Sequence, residues 1–339
     1  MHLLLVSTDP TAFTKGSDFQ KRHARYGELV ERISIIARGG SEEVALSPTV
    51  TLYPTSGSKL FWGVRARAVA RSIHAKQPVD VVSAQDPFEV GLLGLSIARR
   101  LGAKLHIQLH TDPFSSGFGF RPVNAFRKRL LRFVLEHANC VRVVSEQLVE
   151  NVKQYTDAPV SVLPVFVDPT RFAQASRGGK RILVVSRLEP EKRIAKALFI
   201  FARLLKEEPD ATLTILGEGR ERGRIERMVR VLGIEGKVSL LGHVPDIAPY
   251  YASHDVLLHT SRFEGYGLAL VEARLSGLPV VSTDVGVAKE VGAHIFSEDE
   301  EVVELLQKSF TEDPEPYTPP YVSIEGYLED WKDQFRACV

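Results

Sequence analysis

Short apolar runs alternate along this chain with longer amphipathic stretches whose apolar residues recur every three or four positions. The runs read as buried strands and the stretches as helices, and their alternation is the pattern of parallel sheets with crossover helices. The first half predicts strands at 3–7, 33–37, 79–83, 105–109, 141–144 and 160–163, with helices near 18–30, 60–76, 89–101, 122–138 and 146–154. Residues 166–180 break the rhythm with a proline and a Gly-Gly pair and read as a hinge. The alternation then resumes, with strands at 182–186, 212–216, 238–241, 256–259 and 280–282 and helices near 192–207, 219–232, 246–252, 267–276 and 300–309. A proline- and acid-rich segment, Thr311 to Tyr321, leads to a last helix, Ser323 to Arg336, with Ile324, Tyr327, Leu328, Trp331 and Phe335 at helical spacing. The expected fold class is α/β: two doubly wound, Rossmann-like domains at 1–165 and 181–320, with residues 321–339 packing back on the first. Open parallel sheets bind ligands beyond the carboxyl ends of their strands, so two such sheets imply a cleft between domains.

Length and composition agree with two domains. At 339 residues the chain exceeds one ordinary core, and 44% hydrophobic with 25% charged residues is the make-up of a globular protein. The net charge of +1 argues against nucleic acid as a partner. It conceals an asymmetry: residues 1–175 carry 22 Lys/Arg against 15 Asp/Glu, leaving 21 against 27 for the rest, so the halves are +7 and −6. Cys140 and Cys338 stand far apart in sequence, which suits a reducing compartment better than a disulfide scaffold. With no signal peptide pattern and no apolar run near the ~18 residues that span a bilayer, the expected location is cytoplasmic, at most at the inner face of a membrane.

Candidate chemistry gathers at the strand ends. In the first half, Gly16 and Ser17 follow strand one; Ser17 with Gln20 has capping-box spacing, so they read either as a helix start or as a cleft rim. Asp86 before Pro87 either caps a helix or touches an acceptor, and His110 and Asp112 close the strand 105–109 ahead of a Gly-rich loop, Phe114 to Phe120. Two basic stretches mixed with aromatics, Lys59 to Arg71 and Phe126 to Phe133, are either solvated helix faces or a surface for anionic lipid headgroups. In the second half, Arg187 and Lys192 are five apart across a loop. Their cationic heads can converge on a diphosphate, or they are a surface pair with Glu189 or Glu191. Gly217-Glu218-Gly219 and Gly242-His243-Val244 end the next two strands, with glycines that would let a flat base come close. The most organised stretch is His259 to Pro279, where Glu264-Gly265-Tyr266-Gly267 opens a helix at Leu268 and Glu272 lies inside it. A helix mouth with glycines is a phosphate site. No Asp-x-Asp metal motif is present, and the acidic run Glu298 to Glu301 reads as the start of a surface helix.

Ser186-Arg187-Leu188 with Lys192, Gly217-Glu218-Gly219, Gly242-His243-Val244, and above all Glu264 followed eight positions later by Glu272 resemble the retaining glycosyltransferases of family four, which have the GT-B architecture. The likeness is specific over about 180–295 and looser before it. It implies sugar transfer from a nucleotide-diphosphate-sugar to an acceptor hydroxyl, sugar or lipid-linked, in glycan, polysaccharide or glycolipid synthesis, without cofactor or metal. By that resemblance Arg187 and Lys192 bind the diphosphate with the amides of Gly265 to Leu268, Glu264 the donor sugar, Glu272 the ribose, and His243 and Val244 the base. Gly217 and Glu218 line the donor side, His110 touches the sugar near the reaction centre, and Gly16, Ser17, Asp86 and Asp112 line the acceptor side. The chain departs from the family in having Ser17 where a second glycine is common and Arg193 after Lys192 where glycine is common. A GT-B epimerase or phosphorylase, or a non-catalytic nucleotide-sugar binding subunit, are the alternatives.

Overall fold

The computed structural model of the chain describes residues 1–58, 61–115, 117–118 and 122–339. Lys59 and Leu60 of the first basic stretch, and Ser116, Gly119 and Phe120 of the Gly-rich loop, lie outside the described residues. The chain divides into two compact units, Met1–Pro164 with Glu325–Val339, and Val165–Ile324.

The first unit holds strands β1 (His2–Ser7), β2 (Arg32–Arg38), β3 (Val44–Ser47), β4 (Val50–Thr55), β5 (Val81–Ala84), β6 (Lys104–Leu109), β7 (Cys140–Val143) and β8 (Val160–Val162). Between them run helices α1 (Asp18–Tyr26), α2 (Trp62–Lys76), α3 (Glu89–Leu101), α4 (Pro122–Glu136) and α5 (Val149–Lys153). The strand order is β3-β4-β2-β1-β5-β6-β7-β8, parallel except for the β3–β4 hairpin. That hairpin escapes the apolar pattern because β3 is a half-exposed edge strand of four residues without a buried face. The chain moves one way from β1 to β2 and the other way from β4 through β8, so right-handed crossovers put α1 on one face of the sheet and α2 to α5 on the other.

The second unit holds β9 (Arg181–Val185), β10 (Thr212–Leu216), β11 (Val238–Gly242), β12 (Val256–His259), β13 (Val280–Ser282) and β14 (His294–Ile295), in the order β11-β10-β9-β12-β13-β14, all parallel. Its helices are α6 (Ile194–Leu204), α7 (Arg222–Val231), α8 (Ala248–Ser253), α9 (Leu268–Leu275) and α10 (Asp299–Thr311). Ile182, Val184, Leu213, Ile215, Leu258 and Phe201 form its core. The acidic run opens α10, where Asp299 meets Lys196 at 2.5 Å.

A final helix, α11 (Ile324–Arg336), completes the first unit. One face of that sheet carries α1 alone from the first 164 residues, and α11 covers the remainder. Trp331 stacks on Tyr26 of α1 at 4.0 Å and Phe335 meets the β6 residue His106 edge-on at 4.7 Å. Both α11 side chains are buried. The same return corrects the expectation of unpaired cysteines. Cys140 at the start of β7 and Cys338 just past α11 form a disulfide with a Cα separation of 5.1 Å across 198 residues of sequence. Sequence distance said nothing about spatial distance because the intervening second unit is a closed excursion.

Closing so long a loop constrains the unfolded chain, so Cys338→Ser is expected to cost about 2–4 kcal/mol of first-unit stability. Urea unfolding followed by Trp331 fluorescence measures this; an unchanged midpoint in the variant would show that the bond does not stabilise the fold.

Candidate active site

Each sheet has a switch point where the strand order turns, between β1 and β5 in the first unit and between β9 and β12 in the second. Loops leaving such a pair of strands diverge and open a crevice. In the second unit those loops are tied to each other. After β9 the chain makes a tight turn at Pro190–Lys192 and reaches Arg193, which at φ 50° is the one non-glycine residue in the left-handed region among the described residues. A glycine adopts that conformation without cost, which gives a physical reason for glycine being common there. Here the arginine side chain does further work. Its Nε donates to the Thr260 carbonyl at 2.7 Å, and Thr260 Oγ1 donates back to the Lys192 carbonyl at 2.9 Å. The Arg262 amide, on the β12 side, donates to the Glu191 carbonyl at 2.7 Å.

This lacing brings Lys192 to Glu264. Lys192 Nζ pairs with Glu264 Oε1, and the same oxygen lies 3.0 Å from His259 Nε2 and 2.8 Å from Ser261 Oγ, which donates to it. Burial works against the Glu264 charge, but the His259 contact and then the Lys192 charge outweigh it and bring the pKa down to about 2. Glu264 Oε2 makes none of these bonds and has no partner among the described residues.

Gly265, Tyr266 and Gly267 follow and lead into α9. Gly267, at φ 93°, is the helix N-cap and carries no side chain to compete for the first-turn amides, and Leu268 is exposed. Such a helix mouth takes an anion. Gly286 packs against this turn so closely that a Cβ would meet the Tyr266 carbonyl at 2.2 Å. One turn into α9, Glu272 Oε2 accepts from the Tyr251 hydroxyl at 2.7 Å. Burial raises the Glu272 pKa, opposed by Tyr251 and the Arg171 charge.

At three places the geometry adds to the expectation. Arg187 and Lys192 do not share a partner: the Arg187 side chain is 71% exposed and lies 3.7 Å from Glu191, as a surface pair would, while Lys192 goes to Glu264. The glycines at 217 and 219 are required by the backbone packing, since a Cβ would lie 1.8 Å from the Ser186 carbonyl and 2.4 Å from that of Leu188. Leu188 N–H donates to the Glu218 carbonyl at 2.8 Å across this contact, and the Glu218 side chain pairs with Arg222. Asp86 is not the cap of α3, which is Phe88; its Oδ1 closes a turn by accepting from the Phe88 amide at 2.8 Å. His243 is exposed and Val244 half-buried after β11.

In the first unit the other candidates make local anchors. Ser17 caps α1, accepting from the Gln20 amide at 3.3 Å, and the Gly16 amide donates to Gln20 Oε1 at 3.1 Å. Asp112 Oδ1 accepts from the amides of Phe114 and Ser115 at 2.9 and 3.1 Å. Burial raises the pKa of both Asp86 and Asp112. His110 is exposed as a residue, yet protein crowding around its ring and then the charges of Arg142 and Arg22 lower its pKa, so the imidazole is neutral at pH 7. Its Nε2 lies 3.1 Å from Gln108 Oε1. The sequence reading assigned no role to His259, Ser261, Tyr251 or Arg193. For His259 and Ser261 a signal existed, five and three residues before Glu264 at a strand end; Tyr251 and Arg193 needed the fold. No group of three or more His, Cys, Asp or Glu suited to a metal occurs among the described residues.

Because the folded-state pKa of Glu264 is depressed, its contribution to stability is complete above the unfolded value of 4.5 and is lost as pH falls towards 2. The loss is roughly 3 kcal/mol for a group this enclosed, and Glu264→Gln is expected to remove that part of the acid dependence in urea titrations. A variant with the wild-type acid profile would contradict the assignment.

Two family descriptions match the chain in succession: Glycosyltransferase Family 4 over residues 27–171 and Glycosyl transferases group 1 over residues 168–308. Among curated proteins, N-acetyl-alpha-D-glucosaminyl L-malate synthase of Bacillus anthracis is 29% identical over 49% of this chain and 46% of its own length. Alpha-monoglucosyldiacylglycerol synthase of Streptococcus pneumoniae is 27% identical over 64% of this chain and 55% of its own. The chain thus spans about half the length of these relatives. Among solved structures, sucrose-phosphate synthase from Thermosynechococcus elongatus aligns with a TM-score of 0.74 at 16% identity, covering 99% of this chain and 94% of that one. Anabaena HepE in complex with UDP and glucose aligns with a TM-score of 0.69 at 18% identity, covering 98% and 94%. With two parallel α/β units of the GT-B kind and a family match on each, the chain has the fold and both family segments of a family-four type glycosyltransferase.

Proposed function

We propose that this chain transfers a sugar from a nucleoside-diphosphate-sugar to an acceptor hydroxyl with retention at the anomeric carbon and without a metal ion. The observation that carries the reading is the Lys192–Glu264–His259–Ser261 cluster at the β9/β12 switch point, beside the mouth of α9. A diphosphate seated on the α9 amides would draw Lys192 from Glu264, and the cation would then stabilise the leaving group as its negative charge grows. His259 and Ser261 still hold Glu264 Oε1 in that state, and Oε2 remains to accept from a sugar hydroxyl. Glu272, which accepts from Tyr251, would take the ribose hydroxyls. Arg187, exposed and weakly paired, is free to swing to the phosphates. With no nucleophile required, departure of the diphosphate and attack by the acceptor occur on the same face, and the leaving phosphate takes the acceptor proton. The HepE structure with UDP and glucose supports a uridine donor, and the glycolipid-forming relative supports a lipid acceptor.

Among UDP-, GDP- and ADP-sugars in a thermal-shift screen, one at 100 times its dissociation constant is expected to add ~2.7 kcal/mol to stability. With that donor, transfer should persist in excess chelator and fall about 10²–10³-fold in Lys192→Ala and Glu264→Ala. Activity within severalfold of wild type in both variants would refute the site, and loss on chelation with rescue by a divalent ion would refute metal independence.

The acceptor side is proposed to meet an anionic membrane. Phe61 and Val64 at α2 and Val123, Phe126 and Phe133 on α4 are exposed, beside the exposed Arg71, Arg129 and Arg132. No helix among the described residues is long and apolar enough to cross a bilayer, so such contact is at the surface. Vesicle flotation should recover the protein with anionic and not with zwitterionic lipid, and recovery independent of lipid charge would sink this part.

A further inference from the structure

Arg142, in the middle of β7, is 5% exposed and has no carboxylate partner among the described residues. A charged residue in so apolar a strand needs its donors met. Nε and Nη2 donate to the Leu163 carbonyl at 3.1 and 2.9 Å, and Nη2 also approaches the Pro164 carbonyl at 3.2 Å and the Tyr327 hydroxyl at 3.4 Å. These acceptors lie where the chain leaves the first unit and where it comes back to it. The remaining bond of Arg142 among the described residues runs from Nη1 to Gln108 Oε1 at 3.2 Å.

That last bond settles proton positions. A guanidinium can only donate, so the Gln108 atom facing it is the oxygen. The amide nitrogen then points the other way, and it donates to Ser83 Oγ at 2.9 Å. Ser83 Oγ in turn lies 2.8 Å from His106 Nδ1, where either atom can be the donor. On the opposite side, Gln108 Oε1 also lies 3.1 Å from His110 Nε2. An oxygen that cannot donate requires that nitrogen to carry the hydrogen. In a neutral imidazole one nitrogen donates and the other accepts, so His110 Nδ1 is bare. It has no hydrogen-bond partner among the described residues.

We propose that Arg142 is a positioning residue which, through the Gln108 amide, holds His110 as its Nε2–H tautomer and leaves Nδ1 to accept a hydrogen bond from a hydroxyl of the sugar substrate. The tautomer follows from the hydrogen-bond network; the contact to substrate rests on the sugar-transfer reading above. Anchoring the relay on Leu163, Pro164 and Tyr327 also ties the histidine to both chain crossings, so displacement of either crossing would loosen the ring.

Long-range proton–nitrogen NMR spectra of the full chain labelled with ¹⁵N-histidine test this, with His110 assigned by the signals lost in His110→Gln. The expected result is a single tautomer, protonated at Nε2 and bare at Nδ1. In Arg142→Met the Gln108 amide is free to turn and present its NH₂ group, so the His110 proton should move towards Nδ1. Transfer should then fall about tenfold in kcat while KM for the donor stays within about twofold, since one hydrogen bond to the sugar is lost and the nucleotide contacts are untouched. Gln108→Leu keeps the carbonyl bonds of Arg142 and should also release the tautomer, which covers a failure of Arg142→Met to fold. A wild-type ring protonated at Nδ1, or nitrogen signals unchanged in both variants, overturns the relay. A tautomer that moves with kcat unaltered overturns the substrate contact. Absence of transfer by the unmodified chain overturns the glycosyl-transfer reading and leaves the nitrogen result standing.

Discussion

A buried carboxylate is costly unless its charge is met, and the second unit is arranged around meeting that of Glu264. The donors come from both sides of one switch point: Lys192 from the loop after β9, His259 from the last residue of β12, and Ser261 from the loop after it. No single loop could supply them. The adjacency of β9 and β12, which are separated by two other strands in sequence, is therefore what makes the cluster, and the Arg193–Thr260 exchange keeps the two loops in register. The cost is a non-glycine residue in the left-handed region, offset by bonds that a glycine would lack.

The first unit solves a related problem with the opposite charge. Arg142 is enclosed without an acid and is met by carbonyls, an amide oxygen and a phenol. The carbonyls of Leu163 and Pro164 and the Gln108 oxygen come from the first 164 residues, and the C-terminal helix adds the Tyr327 hydroxyl. Trp331 against Tyr26, Phe335 against His106, and the Cys140–Cys338 bond hold that helix in place. A segment encoded at the far end of the chain thus contributes one of the acceptors that enclose Arg142.

Much of the fold was readable because apolar period is a local property. The strands of both sheets other than β3, β4 and β14, and the order of helices between them, follow from runs such as Leu3 to Val6 and from helical spacing such as that of Ile324, Tyr327, Trp331 and Phe335. The omitted strands are a half-exposed edge strand of four residues, the buried β4 that pairs with it and carries Pro54, and a two-residue strand. Among site residues, Glu264, Glu272 and Lys192 were legible as charges at strand ends and a helix mouth. The pairing of Lys192 with Glu264 was not.

By itself the sequence determined two α/β units and a glycine-bounded helix mouth flanked by acids, since each is set by residues close in the chain. Only the tertiary structure decided which groups share a proton or a charge. Lys192 and Glu264 are 72 residues apart, Arg142 and Tyr327 185, and Cys140 and Cys338 198. Hydrogen bonds and ion pairs act over about 3 Å, and which distant residues come that close is fixed by strand order and by where the last helix docks.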